Sequence, residues 1–174
     1  MKRSKKHHLD FEIDKLTRSI ENVATGDSFQ TELSLLTNSD LKSVTKKNGW
    51  LFNWRSEFRN IEREVYKLTI VGNLSIVQGI LSIEYRTKYV YMHLLENAPF
   101  NFGKNKTYAG VAGNLVAYAC LRSFQTGGDG FVSFQSKTKL IDHYIKTLGA
   151  THLRKQELVI ETDSALKLVQ QYFK

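Results

Sequence analysis

The sequence predicts an α/β (α+β) protein with a mostly antiparallel sheet flanked by helices. Three β-rich runs, at residues 64–71, 76–86 and 89–97, follow one another with only short turns between them, which is typical of consecutive antiparallel strands. Two further strand candidates alternate with helical patterns nearer the C-terminus. The chain has 174 residues, of which 41% are hydrophobic and 24% charged, and this suits one folded domain with its own core.

The N-terminal part is expected to contain a tail, a helix and a strand. Residues 1–10 are basic and predict a disordered tail, whereas apolar residues recur at helical spacing over residues 11–23. The run "FQTELSLL" at 29–36 indicates a strand, and the short helix after it is expected to end at Asn48-Gly49. The periodic apolar residues of the first helix are Ile13, Leu16, Ile20 and Val23.

The C-terminal part alternates helices with strands. A helix ends near Phe124, and the strand "FVSFQ" (131–135) precedes an amphipathic helix that Gly149 is expected to end. "ELVIET" (157–162) predicts a final strand, and "DSALKLVQQYFK" predicts a closing amphipathic helix. Because no linker interrupts residues 11–174, we expect one domain with an additional helix at each end.

The formal net charge is +8, and part of it is concentrated in the tail. Such a basic tail is typical of a solubilising segment, and nucleic-acid binding is the alternative interpretation. The rest of the chain mixes both signs of charge and does not indicate a class of partner. The four cationic residues of the tail are Lys2, Arg3, Lys5 and Lys6.

Several classes of protein and site are not expected. No stretch approaches the roughly 20 apolar residues of a membrane helix, and no apolar segment follows the basic N-terminus as it would in a secretory signal. Cys120 is the single cysteine, so no internal disulfide can form, and a buried lone thiol fits a cytoplasmic protein. His7 and His8 lack the further ligands that would predict a metal site.

Small residues mark the start of the central helix, at Gly110, Ala112 and Gly113. Glycine inside a helix costs about 1 kcal/mol relative to alanine, so its use here suggests a close approach to the backbone. A helix N-terminus presents free N–H groups that bind phosphate where no side chain blocks access. One interpretation is therefore a pyrophosphate cradle, to which Lys104, Lys106 and Asn114 would contribute; the other is a tight strand–helix turn.

The same stretch resembles a signature of the GCN5-related N-acetyltransferase (GNAT) superfamily, Arg/Gln-x-x-Gly-x-Gly/Ala at the start of a helix. Gly110-Val111-Ala112 matches its last three positions, and Thr107 stands at its first. A second family motif, Ala-x-x-x-Tyr-x-Lys-x-Gly-Phe, resembles "LIDHYIKTLGA", in which Tyr144 and Lys146 match and the glycine lies one residue later. Together with the order of the strands, the resemblance covers roughly residues 29–162.

The resemblance implies a mixed, mostly antiparallel sheet that is splayed at its centre, after the strand that ends near Leu95. Acetyl-coenzyme A would be the cofactor, with its pantetheine arm in the gap and its pyrophosphate at the glycine turn. Lys137 stands where the family often has asparagine. The implied cofactor-binding residues are Leu94, Leu95, Glu96, Lys104, Lys106, Gly110, Val111, Ala112, Gly113, Asn114 and Lys137.

The implied reaction is transfer of the acetyl group to a primary amine of an unidentified acceptor, which is a small molecule, a peptide or an aminoacyl-tRNA. Tyr144 matches the family position of the acid that protonates the thiolate of coenzyme A. Glu96 is the first candidate for the general base, and Glu84 and His93 are the alternatives. Strand alternation predicts that His93 and Glu96 face opposite sides of the sheet.

Two other interpretations remain open. The departure from the signature at Thr107 is compatible with a catalytically degenerate member that binds an acyl-coenzyme A or a partner without turnover. The basic tail is compatible with a nucleic-acid-binding protein. No membrane partner is expected, and the sequence allows a homodimer.

Overall fold

The computed structural model describes residues 7–173 and contains a seven-stranded sheet flanked by helices. In spatial order its strands are β3 (Thr31–Leu35), β4 (Glu64–Ile70), β5 (Gly79–Arg86), β6 (Tyr89–Asn97), β8 (Val132–Gln135), β10 (Glu157–Ile160) and β9 (Thr151–Arg154). A smaller sheet joins β2 (Ser28–Phe29), β1 (Ile20–Asn22) and β7 (Tyr108–Ala109).

The large sheet parts between β6 and β8. These two strands are parallel, whereas the other neighbouring strands are antiparallel. In the described part of the chain they pair only at Val90–Val132 and Tyr91–Ser133, although β6 continues to Asn97. The sequence-based fold class is therefore confirmed: the sheet is mixed, mostly antiparallel and splayed near its centre.

Five α-helices accompany the sheet in residues 7–173, and local sequence explains several of their ends. Thr37 and Asp40 form a reciprocal capping box at the first helix, and Asn53 caps the second. Gly110 and Gly149 have φ values of 91° and 68°, which L-residues with side chains rarely adopt. The helices are α1 (Asn38–Leu41), α2 (Trp54–Arg59), α3 (Val111–Gln125), α4 (Ile141–Leu148) and α5 (Thr162–Tyr172).

The central helix α3 packs against β5 and β6, and α5 packs against α3. Leu115, Val116 and Cys120 on α3 are fully buried, and so is Ala165 on α5. The predicted closing helix is thus confirmed as α5. None of the helices within residues 7–173 is both long and apolar enough to span a lipid bilayer.

The predicted N-terminal helix over residues 11–23 is wrong. The chain from Leu9 to Ser19, called here the N-terminal segment, forms no helix and leads into β1. Its burial alternates residue by residue between Leu9 and Asp14, with the apolar side chains inside and the acidic ones exposed. This period of two is that of an extended chain, and it prevails over the sparse helical spacing of the apolar residues.

The predicted tail also ends earlier than residue 10. Leu9 is only 2% exposed and belongs to the hydrophobic core. Its N–H donates to the carbonyl of Gln135 (2.7 Å), and its carbonyl accepts from the N–H of Lys137 (3.0 Å). Residues 1–6, with the four cationic residues of the predicted tail, lie outside the described residues.

Candidate active site

Glu96 lies near the end of β6, where that strand has left β8. Its carboxylate accepts hydrogen bonds from the N–H groups of Leu51 (2.7 Å) and Phe52 (3.3 Å) and from the indole N–H of Trp54 (2.8 Å). Burial raises the pKa of Glu96, although the three hydrogen bonds oppose that shift. A carboxyl group with a raised pKa is suited to exchange protons nearer neutral pH.

A cavity of about 500 Å³ lies beside Glu96. Parts of residues 10–14, 49–52, 95–97 and 99–106 line it. Four of the predicted site residues therefore meet at one cavity: Leu95, Glu96, Lys104 and Lys106. This volume falls in the range of small-molecule sites, and its wall combines aromatic, acidic and basic groups.

The backbone at the start of α3 is closely approached, as its small residues suggest, but by the protein's own chain. A Cβ atom on Gly110 would lie 2.9 Å from the carbonyl oxygen of Ser19 and would collide with the hydroxyl of Thr17. A Cβ atom on Gly113 would collide with the hydroxyl of Tyr172. The absence of side chains on these glycines thus allows the N-terminal segment and α5 to pack directly against this end of the helix.

An acidic side chain occupies the helix terminus at which the family resemblance implies a pyrophosphate. The carboxylate of Asp14 accepts from the N–H of Gly110 (3.2 Å) and forms an ion pair with the ammonium of Lys106 (2.8 Å). A backbone N–H at a helix start and a lysine are both groups that hold anionic oxygens. The structure therefore contains a small anion site here, filled by a carboxylate.

The other predicted residues of α3 are buried in this structure. The side chains of Val111 and Ala112 belong to the hydrophobic core. Asn114 is 1% exposed and donates to the hydroxyl of Thr31 (2.9 Å), while its side-chain oxygen has no hydrogen-bond partner among the described residues. None of these three side chains reaches the cavity lining.

Tyr144 is completely buried on α4, between the rings of Phe11 (5.0 Å between centroids) and Phe134 (5.4 Å). Its hydroxyl donates to the carbonyl oxygen of Phe11 at 2.5 Å. Burial raises the pKa of Tyr144, and the nearby negative charges of Asp10 and Glu12 add to the shift. The side chain is therefore a protonated phenol that faces the N-terminal segment rather than the cavity.

Two more predicted residues flank the opening in the sheet. Lys137 pairs with Asp10 at 2.7 Å, with both side chains about half exposed. Leu94 is buried in the core and pairs with Ser82 of β5. Asp10, Phe11 and Asp14 are not among the predicted site residues, although the alternation of acidic and apolar residues in "LDFEID" is a sequence signal for an extended segment.

A β-bulge changes the orientation expected for His93. Pairing between β5 and β6 shifts register after Ser82, and His93 has no residue opposite it in the described ladder. Its Nε2 atom lies 3.1 Å from the carboxylate of Glu84, on the face where Ser82 donates to Glu57 of α2. Since Glu96 contacts Trp54 of α2, the expectation that His93 and Glu96 face opposite sides is wrong.

His93 and Glu84 form a paired base candidate. Burial lowers the pKa of His93, and the positive charge of Arg63 lowers it further. Burial opposes ionisation of Glu84, but hydrogen bonds from Arg86 and His93 hold its pKa below the ordinary value. The pair is therefore a neutral imidazole beside an ionised carboxylate, which is an arrangement that can accept a proton.

No protein-family model and no curated protein sequence matches this chain. Solved structures do resemble it. The structure of AtaTR bound with acetyl-coenzyme A is 15% identical, with a TM-score of 0.51 over 80% of this chain and 98% of that one. The complex of KacTA with DNA is 14% identical, with a TM-score of 0.52, and the match covers 87% of this chain and 98% of that one. The ribosomal-protein-S18-alanine N-acetyltransferase from Escherichia coli is 11% identical, with a TM-score of 0.50, and the match covers 75% of this chain and 90% of that one. The chain therefore has the fold of the GCN5-related N-acetyltransferase superfamily.

Proposed function

We propose that this protein is an acetyl-coenzyme A-dependent N-acetyltransferase that acts on a primary amine. The observation that carries the proposal is the opening between β6 and β8, with Glu96 and the 500 Å³ cavity at its end. Proteins of the same fold include one solved with acetyl-coenzyme A and one named as an N-acetyltransferase, which supports the same cofactor and reaction class here.

The residues at the opening fit an anionic cofactor. Gly110 and Lys106 already hold the carboxylate of Asp14, and the same N–H and ammonium groups would hold a phosphate oxygen. Lys104 lies at the same cavity, and Lys137 would add positive charge beside β8. The backbone of residues 94–96 would pair with the pantetheine amides. Residues 111–113 would contribute backbone N–H groups, because the side chains of Val111 and Ala112 are buried; the N–H of Asn114 already donates to the carbonyl of Gly110 (3.1 Å).

The chain's own groups can perform the proton transfers that acetylation of an amine requires. Acetyl-coenzyme A supplies an activated thioester carbonyl. Glu96, with its raised pKa, would remove a proton from the attacking amine, and the His93–Glu84 pair is the alternative base. Backbone N–H groups at the parted edge of β6 would stabilise negative charge on the carbonyl oxygen. Tyr144 would donate its phenolic proton to the departing sulfur.

The cavity wall favours an amine that carries an apolar group. Phe52 and Leu51 provide apolar surface, and Glu12 and Glu96 provide negative charge for a cationic nitrogen. A small amine, a peptide N-terminus and an aminoacyl-tRNA all have this chemistry. Binding of nucleic acid by the basic residues 1–6, formation of a homodimer and a cytoplasmic location remain sequence-based predictions.

A second candidate function is binding of an acyl-coenzyme A or a partner without turnover. It is favoured by the contacts of the N-terminal segment, which engages both Gly110 and the hydroxyl of Tyr144. In that case Tyr144 and the anion site at Gly110 and Lys106 would stabilise the fold and would have no catalytic role.

Calorimetry with acetyl-coenzyme A, followed by an amine screen, tests the proposal. We expect saturable binding of one cofactor per chain and a stabilisation of about 2.7 kcal/mol at one hundred times the dissociation constant. A panel of polyamines, peptides and aminoacyl-tRNA should then release free coenzyme A, detected as thiol. Binding without thiol release from any acceptor would favour the second function. Absence of binding at millimolar cofactor would contradict the proposed function and leave only a partner-binding form of the second.

A further inference from the structure

We propose that the N-terminal segment is an intramolecular competitor of acetyl-coenzyme A, which has to leave the opening between β6 and β8 before the cofactor can bind. The inference rests on the proposed function, since it concerns access to the same site. It assigns a regulatory role to residues 9–14, which form neither a helix nor a free tail.

The segment occupies the edge of β8 at the opening. Leu9 forms a parallel bridge with Ser136 and hydrogen bonds with the backbones of Gln135 and Lys137. These groups lie just beyond Ser133, the last residue of β8 that pairs with β6. The segment therefore satisfies backbone groups that the parting of the sheet would otherwise leave without a strand partner.

The acidic residues of the segment take the positions proposed for phosphate. Asp14 occupies the N–H of Gly110 and the ammonium of Lys106, and Asp10 pairs with Lys137. The N–H of Gly110 is a single donor, so it cannot hold a phosphate oxygen while it holds the carboxylate, and the negative charge of Asp14 also repels a phosphate group at Lys106. Binding of the segment and binding of a diphosphate at Gly110 are thus mutually exclusive.

The apolar residues of the segment also engage the proposed acid. The ring of Phe11 packs on the ring of Tyr144, and its carbonyl accepts the hydrogen bond of the Tyr144 hydroxyl. A hydroxyl that donates to Phe11 cannot donate to a leaving sulfur. The same segment therefore blocks both the anion site and the acid, and it does so with alternating acidic and apolar side chains, the two kinds of group that a coenzyme A molecule combines.

The attachment of the segment combines weak polar contacts with three buried apolar side chains, Leu9, Phe11 and Ile13, so we expect release to be reversible but infrequent. The ion pair between Asp10 and Lys137 is about half exposed, and such pairs are weak and screened by salt. Apart from Leu9, the segment makes no regular strand pairing before β1 in the described structure. Only molecules with the segment released can bind acetyl-coenzyme A. The apparent dissociation constant should therefore be the intrinsic constant divided by the small fraction of released molecules.

Calorimetry on full-length variants measures this competition. Asp14→Ala removes the carboxylate from Gly110 and Lys106, and we expect acetyl-coenzyme A to bind about tenfold more tightly or better. Glu62→Ala is the matched control, because it removes an exposed carboxylate outside the cavity lining and should leave the affinity unchanged.

Cysteine labelling gives a second readout that does not depend on the stability of Asp14→Ala. Ile13 is 7% exposed, so Ile13→Cys should react slowly with iodoacetamide and much faster when saturating acetyl-coenzyme A displaces the segment. The native Cys120 is fully buried and its pKa is raised, so its background labelling should be low. Leu168→Cys on α5 is the control that should stay protected in both conditions.

The outcomes separate this inference from the proposed function. Tighter binding by Asp14→Ala together with cofactor-dependent labelling at residue 13 supports both. Cofactor binding with no change in labelling, or with equal or weaker affinity for Asp14→Ala, overturns the competition and leaves the proposed function standing. If acetyl-coenzyme A binds neither the native chain nor any variant, the proposed function is wrong, and the inference falls with it.

Discussion

The hydroxyl of Tyr144 and the carbonyl oxygen of Phe11 are hydrogen-bonded at 2.5 Å across 133 residues of chain. Both groups are shielded from water, because Tyr144 is fully buried and Phe11 is 8% exposed. The bond makes one side chain serve two purposes: it fixes the N-terminal segment against α4, and it holds the phenol that is proposed as the acid.

Tyr144→Phe separates these two purposes. The variant keeps the packed ring but leaves the carbonyl of Phe11 without this donor, so we expect a loss of about 1–3 kcal/mol in the free energy of unfolding, measured by urea denaturation. Tyr89→Phe, which removes a half-exposed hydroxyl near Arg86, is the control and should change stability by less than about 0.5 kcal/mol.

The same variant tests catalysis once an acceptor is known. Removal of a general acid should lower the single-turnover rate about 10²–10⁴-fold. A rate equal to that of the native protein, accompanied by the stability loss, would show that Tyr144 has only a structural role.

Gly110→Ala should destabilise the protein through both backbone strain and collision. A φ of 91° already strains an L-residue, and the added Cβ would meet Thr17 and the carbonyl of Ser19. Gly26→Ala is the matched control, because Gly26 has a φ of 78° but no atom within 4 Å of the added Cβ. We expect a larger drop in the urea midpoint for Gly110→Ala; equal drops would mean that the approach of the N-terminal segment is not close.

More of the fold than of the candidate site could be predicted from the sequence. Turn spacing and strand-like runs predict the three consecutive antiparallel strands at the centre of the sheet, and the resemblance to the GNAT superfamily implies that the sheet is splayed. The N-terminal segment was missed because Ile13, Leu16, Ile20 and Val23 satisfy a helical period over a short window, and the competing two-residue period of "LDFEID" depends on a sheet edge supplied by residues 135–137.

Two features of the site depend on contacts that local sequence does not encode. The bulge at His93 is set by the pairing register with β5, so simple alternation assigned the wrong face. The small residues at the start of α3 correctly indicated a close approach, but the identity of the neighbour was decided by Thr17 and Tyr172, which lie far away in sequence.

Acid should destabilise the protein through Glu57. This carboxylate is 4% exposed and accepts hydrogen bonds from Arg63 and Ser82. Burial opposes its ionisation, but hydrogen bonds from His7, Ser82 and Arg63 lower its pKa to about 2. Because the pKa is lower in the folded state than in the unfolded state, this stabilisation is present above pH ~4.5 and is lost as the pH falls towards 2.

The expected size of that effect is about 3 kcal/mol in the free energy of unfolding, from the shift of the pKa. Urea denaturation at a series of pH values measures it. Glu57→Gln should be destabilised at neutral pH, since it replaces the ionised carboxylate that pairs with Arg63 by a neutral amide, and it should show a flatter pH dependence between 4.5 and 2. An unchanged slope would mean that other carboxylates govern acid unfolding.

Glu96 should titrate at a higher pH than an ordinary glutamate, and this can be measured without an acceptor. Its carboxylate accepts from the indole of Trp54, so protonation should alter the tryptophan fluorescence. Burial raises the pKa of Glu96, and we therefore expect a fluorescence transition above pH ~4.5 in the native protein.

The variants Glu96→Gln and His93→Gln then distinguish the two base candidates. Glu96→Gln should abolish the fluorescence transition and leave the affinity for acetyl-coenzyme A nearly unchanged, because a neutral amide oxygen can still accept from the indole and one of the two N–H groups. With an acceptor, Glu96→Gln should lower kcat about 10²–10⁴-fold and remove the acidic limb of the pH–rate profile. His93→Gln should keep the native kcat and the acidic limb. If His93→Gln loses the acidic limb and Glu96→Gln keeps it, the base is the His93–Glu84 pair, and Glu96 serves to hold residues 51–54 against β6.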